Sequence, residues 1–432
     1  VKKTSSPKNM KIAFFDYPTS LAEPPKTGGI RLVSYALALR LARAGHQVLF
    51  YGSKGHYQEL EYHEDGITYR RIPDSWLDKI LDPLNFLDIW GISHPQRPFY
   101  TSTLFFREFY RQVAKDIQAQ QCDVIHMNIV FQFVPLMRAY NPHAKIVLHL
   151  HSDFLPLFDP VIVKQHLKSV DLVVGCSNYL INQVRKYLPQ VKSETLYNGA
   201  DTRHFTISNN SNKKAKSKDI KQILFIGRIS PEKGVHILID AFNKVVSRYP
   251  QVQLKLVGSE NALVPWYTLD REDPQVQNIL PYYQGNYRSQ LQKRINPNTA
   301  SSVFFLGKVP HFELLEYYQQ ADIFVFPSVW NEAFGMPIVE AMSMGLPVIT
   351  TRGGAFPELV EDGKTGLLVE RGNADALAEA MLRLLLDDNL AIAMGEAGRR
   401  QAIEKFDWDN QAQKLLHYYH AMMNLTAHTL RS

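Results

Sequence analysis

Short apolar runs alternate with segments of helical apolar spacing along this chain, and the alternation occurs twice. Residues 11–17, KIAFFDY, read as a buried strand. Residues 30–45 carry helical spacing and end at Gly45, and QVLFYG at 47–52 reads as the next strand. Further strands are expected at 123–128, 145–151, 171–177 and 193–199. Residues 206–221, TISNNSNKKAKSKDIK, are almost free of apolar side chains and read as a polar linker. The alternation then restarts with QILFIGR, a helix at 235–248, QLKLVG, VFFLGKV, a helix at 311–320, DIFVFPS, a helix near 337–344, PVITT, GLLVE and a helix at 373–387. Strands alternating with helices imply βαβ units on parallel sheets, so the expected class is α/β with two layered domains of similar size. The last segment, 408–423, has the pattern of an amphipathic helix.

Two stretches break the pattern. Residues 76–112 are rich in Trp, Phe and Tyr without clear periodicity, and residues 261–300 insert about forty polar and aromatic residues between two strands. Loops of that length are functional or mobile more often than not.

At 432 residues, 45% hydrophobic and 21% charged, the composition is that of an ordinary globular protein. The formal charge of +6 suits an anionic ligand, a membrane surface or nucleic acid, and selects none of them. Cys122 and Cys176 each sit in an apolar run and read as buried reduced thiols. No run approaches the ~18 apolar residues of a membrane span. The basic start lacks the pattern of a secretion signal, and a cytoplasmic location is expected.

Four stretches carry chemistry. In WNEAFGMPIVEAMSMGLPVIT (330–350), Pro337 suits the first turn of a helix, Gly345 its C-terminal cap, and Pro347 prevents continuation. The free N–H groups after Phe334-Gly335-Met336 would form an anion site. Glu332 precedes the helix and Glu340 lies in its first turns, so both could face one crevice outside the strand ends. Alternatively, Glu340 complements the helix dipole and Glu332 is solvated. In FIGRISPEKG (225–234), Gly227 follows a strand, and Arg228 and Lys233 could neutralise a diphosphate without a metal. As surface residues they would simply be solvated.

Gly28 and Gly29 precede the first helix, but the stretch is not G-x-G-x-x-G, and the second strand ends without an acidic residue for a ribose. Nicotinamide or flavin binding is therefore disfavoured. In KIVLHLHSDF (145–154), His149 and His151 are expected to point to opposite faces of their strand, which argues against one shared metal ion. His151, at the carboxyl end, is the better crevice candidate; His126 is expected to be structural.

The order and spacing of GGIRLVSYALALRLARAGHQV, LYNGADTRHF, IGRISPEKG and the long run from LLEYYQQADIFVFPSVWNEAFGMP to GLLV resemble the retaining nucleotide-sugar glycosyltransferases of the GT-B fold, family 4, most closely from 222 to 372. WNEAFG and the 261–300 segment also look like the subgroup of spore-coat and polysaccharide glycosyltransferases. The resemblance implies two facing Rossmann-like domains with an active-site cleft between them. The acceptor domain would be 1–205 and the donor domain 206–405, with residues 406–432 forming a helix that crosses back. It implies that Glu332 approaches the sugar hydroxyls and Glu340 the ribose. Arg228 and Lys233 would bind the diphosphate, and Gly335 and Met336 would supply backbone donors. Gly28 and Gly29 would lie near the phosphate and acceptor, and His151 near the sugar, with His149 as fallback. Gly307, Lys308 and Val309 would flank the base, while Asn198, Gly199 and Asp201 would be structural.

The candidate catalytic set is thus His151, Arg228, Lys233 and Glu332. The donor-binding set adds Gly28, Gly29, Gly227, Gly258, Lys308, Val309, Phe334, Gly335, Met336, Pro337 and Glu340. No cofactor and no obligatory metal are expected, the nucleotide-sugar being a co-substrate, and no Asp-x-Asp stands at a strand end. The expected reaction moves a hexose or N-acetylhexosamine, from a UDP-sugar by preference, to a glycan, lipid-linked or small-molecule acceptor. It retains configuration, with the leaving phosphate accepting the acceptor's proton. A sugar-nucleotide binder without transferase activity and a GT-B epimerase are the alternatives. A phosphorylase lacks a pyridoxal-site lysine motif, and nucleic acid is supported by net charge alone. For residues 76–112, an acceptor groove, contact at the inner face of a membrane and plain core packing all remain open, core packing at least as strongly as the others.

Overall fold

A computed structural model describes residues 9–15, 17–18, 20–25, 28–206, 220–260 and 272–429. Most of the polar stretch read as a linker (207–219) and the first part of the 261–300 insertion (261–271) lie outside them. The chain forms two compact units, Val1–Tyr197 with Trp408–Ser432, and Asn198–Asp407.

The first unit holds β1 (Lys11–Phe15), β2 (Gln47–Ser53), β3 (Glu61–Glu64), β4 (Ile67–Ile72), β5 (Val124–Asn128), β6 (Lys145–Leu150), β7 (Leu172–Gly175) and β8 (Ser193–Thr195) in the order β3-β4-β2-β1-β5-β6-β7-β8. All neighbours pair in parallel except β3 with β4. That hairpin has no counterpart in the sequence reading. β3, Glu-Tyr-His-Glu, is exposed along its whole length, so it gives no apolar signal. Asp65-Gly66, both at positive φ, is the turn signal that could have located it. Parallel strands here are near-continuous apolar runs because helices cover both faces; β1, β5 and β6 are buried from their second residue on.

The helix Trp408–Thr429 belongs to this first unit. Its Tyr418 hydroxyl donates to the Thr195 carbonyl at 2.9 Å, and its Asp409 pairs with Arg40 of the helix Gly29–Arg43 at 2.6 Å. The boundary between the units falls after Tyr197, eight residues ahead of the expected 205. Ala200 and Thr202 are held by Phe406 and Asp407 through hydrogen bonds, which draws Asn198–Phe205 into the second unit.

The second unit holds β9 (Lys221–Ile226), β10 (Val252–Val257), β11 (Val303–Gly307), β12 (Ile323–Phe326), β13 (Val348–Thr351) and β14 (Gly366–Val369) in the order β11-β10-β9-β12-β13-β14, all parallel. The chain winds outward from β9 in one direction and from β12 in the other. The loops after β9 and β12 therefore flank a switch point, the place where open α/β sheets bind ligands. The helix Asp388–Phe406 is not among the elements expected from the sequence. It buries Gly395 and Gly398 beside Met394, Ala402 and Phe406, and at the two glycines its backbone lies against Gly345 and Thr365.

Within the described residues both irregular segments contain helices. Residues 76–112 contain the helices Trp76–Leu81 and Phe86–Ile89 and the start of Arg107–Gln120. After residue 271 the insertion forms the helices Pro274–Ile279 and Tyr287–Arg294, which bury Val276, Ile279, Tyr287 and Leu291.

Gly258 sits where β10 ends, at φ +154, and a Cβ there would lie 1.7 Å from the Gly227 carbonyl oxygen. Gly258→Ala must move two strand ends apart. It is expected to destabilise the second unit by about 3 kcal/mol. An unchanged urea midpoint would contradict this packing.

Candidate functional site

Because every strand of the second unit runs the same way, their carboxyl ends share one edge. That edge carries Gly227 and Arg228 after β9, Gly258 after β10, Lys308 and Val309 after β11, and the Ser328–Gly335 loop after β12. The helix Met336–Ser343 begins there, with Gly335 as its N-cap at φ 145 and Pro337 in its first turn. A Cβ at Gly335 would come within 2.9 Å of Phe356, so glycine is required by space as well as by φ. Phe334 is buried edge-on against Phe406, leaving only its backbone available to a ligand. Lys308 is exposed, and Val309 half-buried.

Two of the sequence candidates meet directly. Lys233 Nζ donates to Glu332 Oε1 at 2.5 Å, and each side chain is 11% exposed. The Ser328 hydroxyl reaches the same oxygen at 2.7 Å. Glu332 Oε2 has no partner among the described residues. The Lys233 ammonium also lies 5.0 Å from the Trp330 ring centroid, an added cation–π attraction.

Arg228 pairs at 3.0 Å with Glu232, a carboxylate with no exposed surface. Glu232 also accepts from Ser230 at 2.6 Å and Tyr283 at 2.7 Å, so three donors offset its burial. Tyr283 lies in the insertion, and burial raises its pKa well above the usual tyrosine range, with the Glu232 carboxylate adding to the rise. The insertion reaches the β12 loop as well. Asp273 accepts from Arg371 at 2.6 Å and from Asn331 at 3.3 Å, and Arg371 also donates to the Val329 carbonyl.

Glu340 is 2% exposed and both its oxygens are engaged, Oε1 by His311 Nε2 and Oε2 by the Tyr318 hydroxyl, each at 2.8 Å. Burial works against protonating His311, yet the Glu340 carboxylate outweighs it and its pKa is raised. Burial keeps Tyr318 protonated, so it donates. Phe205 packs edge-on against both rings. The helix-dipole reading of Glu340 is thus incomplete. Glu232, Tyr283, Ser328, Arg371, His311 and Tyr318 did not emerge from the sequence; Tyr283, Arg371, His311 and Tyr318 act through partners at least 22 residues away.

In the first unit, Gly28 is the N-cap of the helix Gly29–Arg43 at φ 98, and a Cβ at Gly28 or Gly29 would meet open space. His149 and His151 do not point to opposite faces. Residues two apart on a strand share a face, and their rings lie with centroids 4.0 Å apart. They continue a buried chain in which the Tyr419 hydroxyl meets His126 Nδ1 at 2.7 Å and His126 Nε2 meets His149 Nδ1 at 3.1 Å. Asn128 donates to the Phe15 carbonyl, which turns its Oδ1 toward His151 Nε2 at 2.8 Å. His151 therefore donates through Nε2 and keeps Nδ1 as an acceptor. Burial lowers His126 and His151 to about 3 and pushes His149 down as well. Cys122 and Cys176 are buried free thiols. Among the described residues no three His, Cys, Asp or Glu side chains are grouped as a metal site, and no helix is long and apolar enough to cross a membrane.

The profile described as Glycosyl transferases group 1 matches residues 206–401, and that described as Glycosyltransferase Family 4 matches residues 27–204. Spore coat protein SA of Bacillus subtilis (strain 168) is 26% identical over 322 residues, covering 71% of this chain and 80% of that one. N-acetyl-alpha-D-glucosaminyl L-malate synthase of Bacillus anthracis is 26% identical over 412 residues, covering 91% and 93%. The solved structure of Anabaena Alr3699/HepE in complex with UDP-glucose shares the fold, with a TM-score of 0.68 at 21% identity over 96% of this chain and 100% of that one.

Two outcomes follow from the geometry. Lys233→Met strands a nearly buried carboxylate and should cost about 3 kcal/mol of stability, most of it recovered in Lys233→Met/Glu332→Gln. Urea unfolding of both variants measures this, and a double variant as unstable as the sum of the singles would remove the coupling. The histidine chain adds a pH dependence. Groups with lowered folded pKa values favour the folded state above their unfolded value near 6.5, and that contribution is lost as pH falls toward 3. Melting of the first unit should therefore drop between pH 6.5 and 5, ahead of most carboxylate titration. A flat profile there would mean the histidines are not held neutral.

Proposed function

Because the chain belongs to the group 1 glycosyltransferases of the GT-B fold, we propose that it is a retaining, metal-independent transferase that takes a hexose or N-acetylhexosamine from a UDP-sugar. The acceptor in this proposal is a glycan, a lipid-linked sugar or a small molecule. The setting is polysaccharide or glycoconjugate synthesis in the cytoplasm. The observation that carries the reading is the Lys233–Glu332 pair at the switch point, with Glu332 Oε2 left open beside the start of the helix Met336–Ser343. A cation, an acceptor for sugar hydroxyls and free backbone N–H groups are the three things a sugar diphosphate requires. The complex of HepE with UDP-glucose supports the donor class.

Charge develops on the leaving diphosphate and on the sugar as the anomeric carbon–oxygen bond breaks. In this proposal Lys233, Arg228 and the N–H groups at Gly335 and Met336 take up the charge on the diphosphate without a divalent ion. Glu232 holds the guanidinium of Arg228, and Ser328 and Lys233 hold Glu332, so the groups are in place before the substrate arrives. The leaving phosphate accepts the proton of the attacking hydroxyl. Glu332, tied to Lys233, serves the sugar hydroxyls rather than the anomeric carbon. Glu340 accepts from the ribose through lone pairs not taken by His311 and Tyr318. His151 is held neutral, with its Nδ1 buried and without a partner among the described residues.

Calorimetric titration with UDP-, GDP- and ADP-sugars in EDTA tests the reading. One series, expected to be UDP, should bind at micromolar concentration, and Glu340→Ala should weaken it about tenfold. No binding across the panel, or binding that returns only with manganese, would overturn it.

A further inference from the structure

Four carboxylates beside the carboxyl edge of the second sheet are each held by a basic side chain. Glu332 pairs with Lys233, Glu232 with Arg228, Asp273 with Arg371 and Glu340 with His311. Lysine and arginine side chains stay charged across the neutral range, whereas an imidazole loses its charge there. Three of the pairs are therefore permanent, and the fourth depends on pH.

Glu340 has no substitute for that fourth partner. Its carboxylate is almost fully buried, and a buried carboxylate needs a cation or several donors to offset its lost hydration. It lies past the first turn of the helix Met336–Ser343, which holds no acidic residue and is where the helix dipole acts. The Tyr318 hydroxyl brings Glu340 a hydrogen bond but no charge. Of its two partners, only His311, at 2.8 Å, can bring a positive charge.

The fold delivers these groups from separate elements. His311 opens the turn His311–Glu313, directly after the Lys308–Pro310 segment that follows β11, and Tyr318 comes from the helix Leu314–Gln320. Phe205 packs edge-on against both His311 and Tyr318, and the exposed His204 lies edge-on against Phe205. Lys308 and Glu313, the charged neighbours of His311 along the chain, are exposed. The His311 side chain is 29% exposed, so its proton can exchange with solvent. Burial opposes its charge, the Glu340 carboxylate outweighs burial, and the pKa ends above the usual 6.5. The charge is thus present below that raised value and lost as pH rises through it.

We infer that His311 is a positioning residue for nucleotide recognition: in its charged form it holds the Glu340 carboxylate in place for the ribose hydroxyls, and donor affinity falls when that charge is lost. The inference rests on the reading of this edge as the nucleotide-sugar site, and it adds a residue that acts through Glu340. The other three pairs give no such dependence, because their cations do not titrate near neutrality.

Calorimetry with UDP-, GDP- and ADP-glucose, repeated from about pH 6 to about pH 9 at constant ionic strength, tests it. The diphosphate of a nucleotide-sugar is a diester and does not titrate in this range, so a slope belongs to the protein. Affinity for the glucose donor that binds should fall about tenfold across the range, the effect of one unit of pKa difference between free and bound protein. Binding at the upper end should take up a proton, read from the heats in two buffers of different ionisation enthalpy. His311→Gln keeps an N–H for Glu340 and removes the charge; it should bind about tenfold more weakly near pH 6.5 and show no slope. His204→Asn should keep the slope of the unaltered protein. In the unaltered, ligand-free protein, the His311 ring resonance should titrate above 6.5 and move higher with bound nucleotide-sugar, a readout independent of any variant's folding. A flat profile in the unaltered protein, a slope that survives in His311→Gln or vanishes in His204→Asn, or a His311 resonance that titrates at or below 6.5 would overturn the inference while leaving the transferase reading in place. No binding of any of the three donors at any pH would overturn both.

Discussion

The contact between Lys233 and Glu332 joins two loops whose sequence positions are 99 residues apart. A lysine and a glutamate that are each 11% exposed would be costly if separate. Together, and with Ser328 on the same oxygen, they fasten the loop after β9 to the loop after β12. Gly234 takes part from the backbone side: at φ +72, a Cβ there would lie 2.0 Å from the Pro327 carbonyl oxygen. The loops are thus pressed together at the switch point before any ligand is present. This is how a site made of loops acquires the rigidity of the sheet beneath it.

The same device recurs outward from that pair. Glu232 is a buried carboxylate satisfied by Arg228, Ser230 and Tyr283, and Tyr283 ties the insertion to the site. Asp273 and Arg371 clamp the β12 loop from the other side. Glu340 is satisfied by His311 and Tyr318. Each is a buried charge whose desolvation is offset only with its partners in place, so removing one partner leaves the other stranded. The insertion is therefore a support for the loops and not a free flap, at least over residues 272–302, where the chain is helical.

The sheet architecture was legible because parallel strands buried on both faces leave unbroken apolar runs such as ILFI and IFVF. The beginning of the helix at Met336 was legible from Gly335 and Pro337. Arg228, Lys233 and Glu332 could be chosen as charged residues just beyond strand ends, but their partners could not. Nothing in the spacing of Glu232 and Tyr283, 51 residues apart, shows that they meet. The hairpin β3–β4 was hidden by an exposed polar strand, and in the helix Asp388–Phe406 two of the five buried positions are glycines, which weakens the apolar period. The histidines were misread for a different reason. The period of a strand is two, so His149 and His151 had to share a face, and the neighbouring rings are what that period requires.

The two units solve the problem of polar groups at strand ends in opposite ways. The second unit keeps its charges and pairs them, which leaves cations and an open carboxylate oxygen at the edge of the sheet. The first unit removes charge. His126, His149 and His151 are buried and held neutral, and the tautomer of His151 is set by Asn128, itself fixed by the Phe15 carbonyl. A neutral imidazole whose Nε2–H is already committed can only accept at Nδ1, so a ligand reaching it would have to bring a donor, as a sugar hydroxyl does and a phosphate oxygen does not. In the second unit, Arg228 and Lys233 have donors to offer, and those suit phosphate oxygens. The strand-end groups of the two units thus differ in kind, a neutral acceptor in one and paired cations in the other.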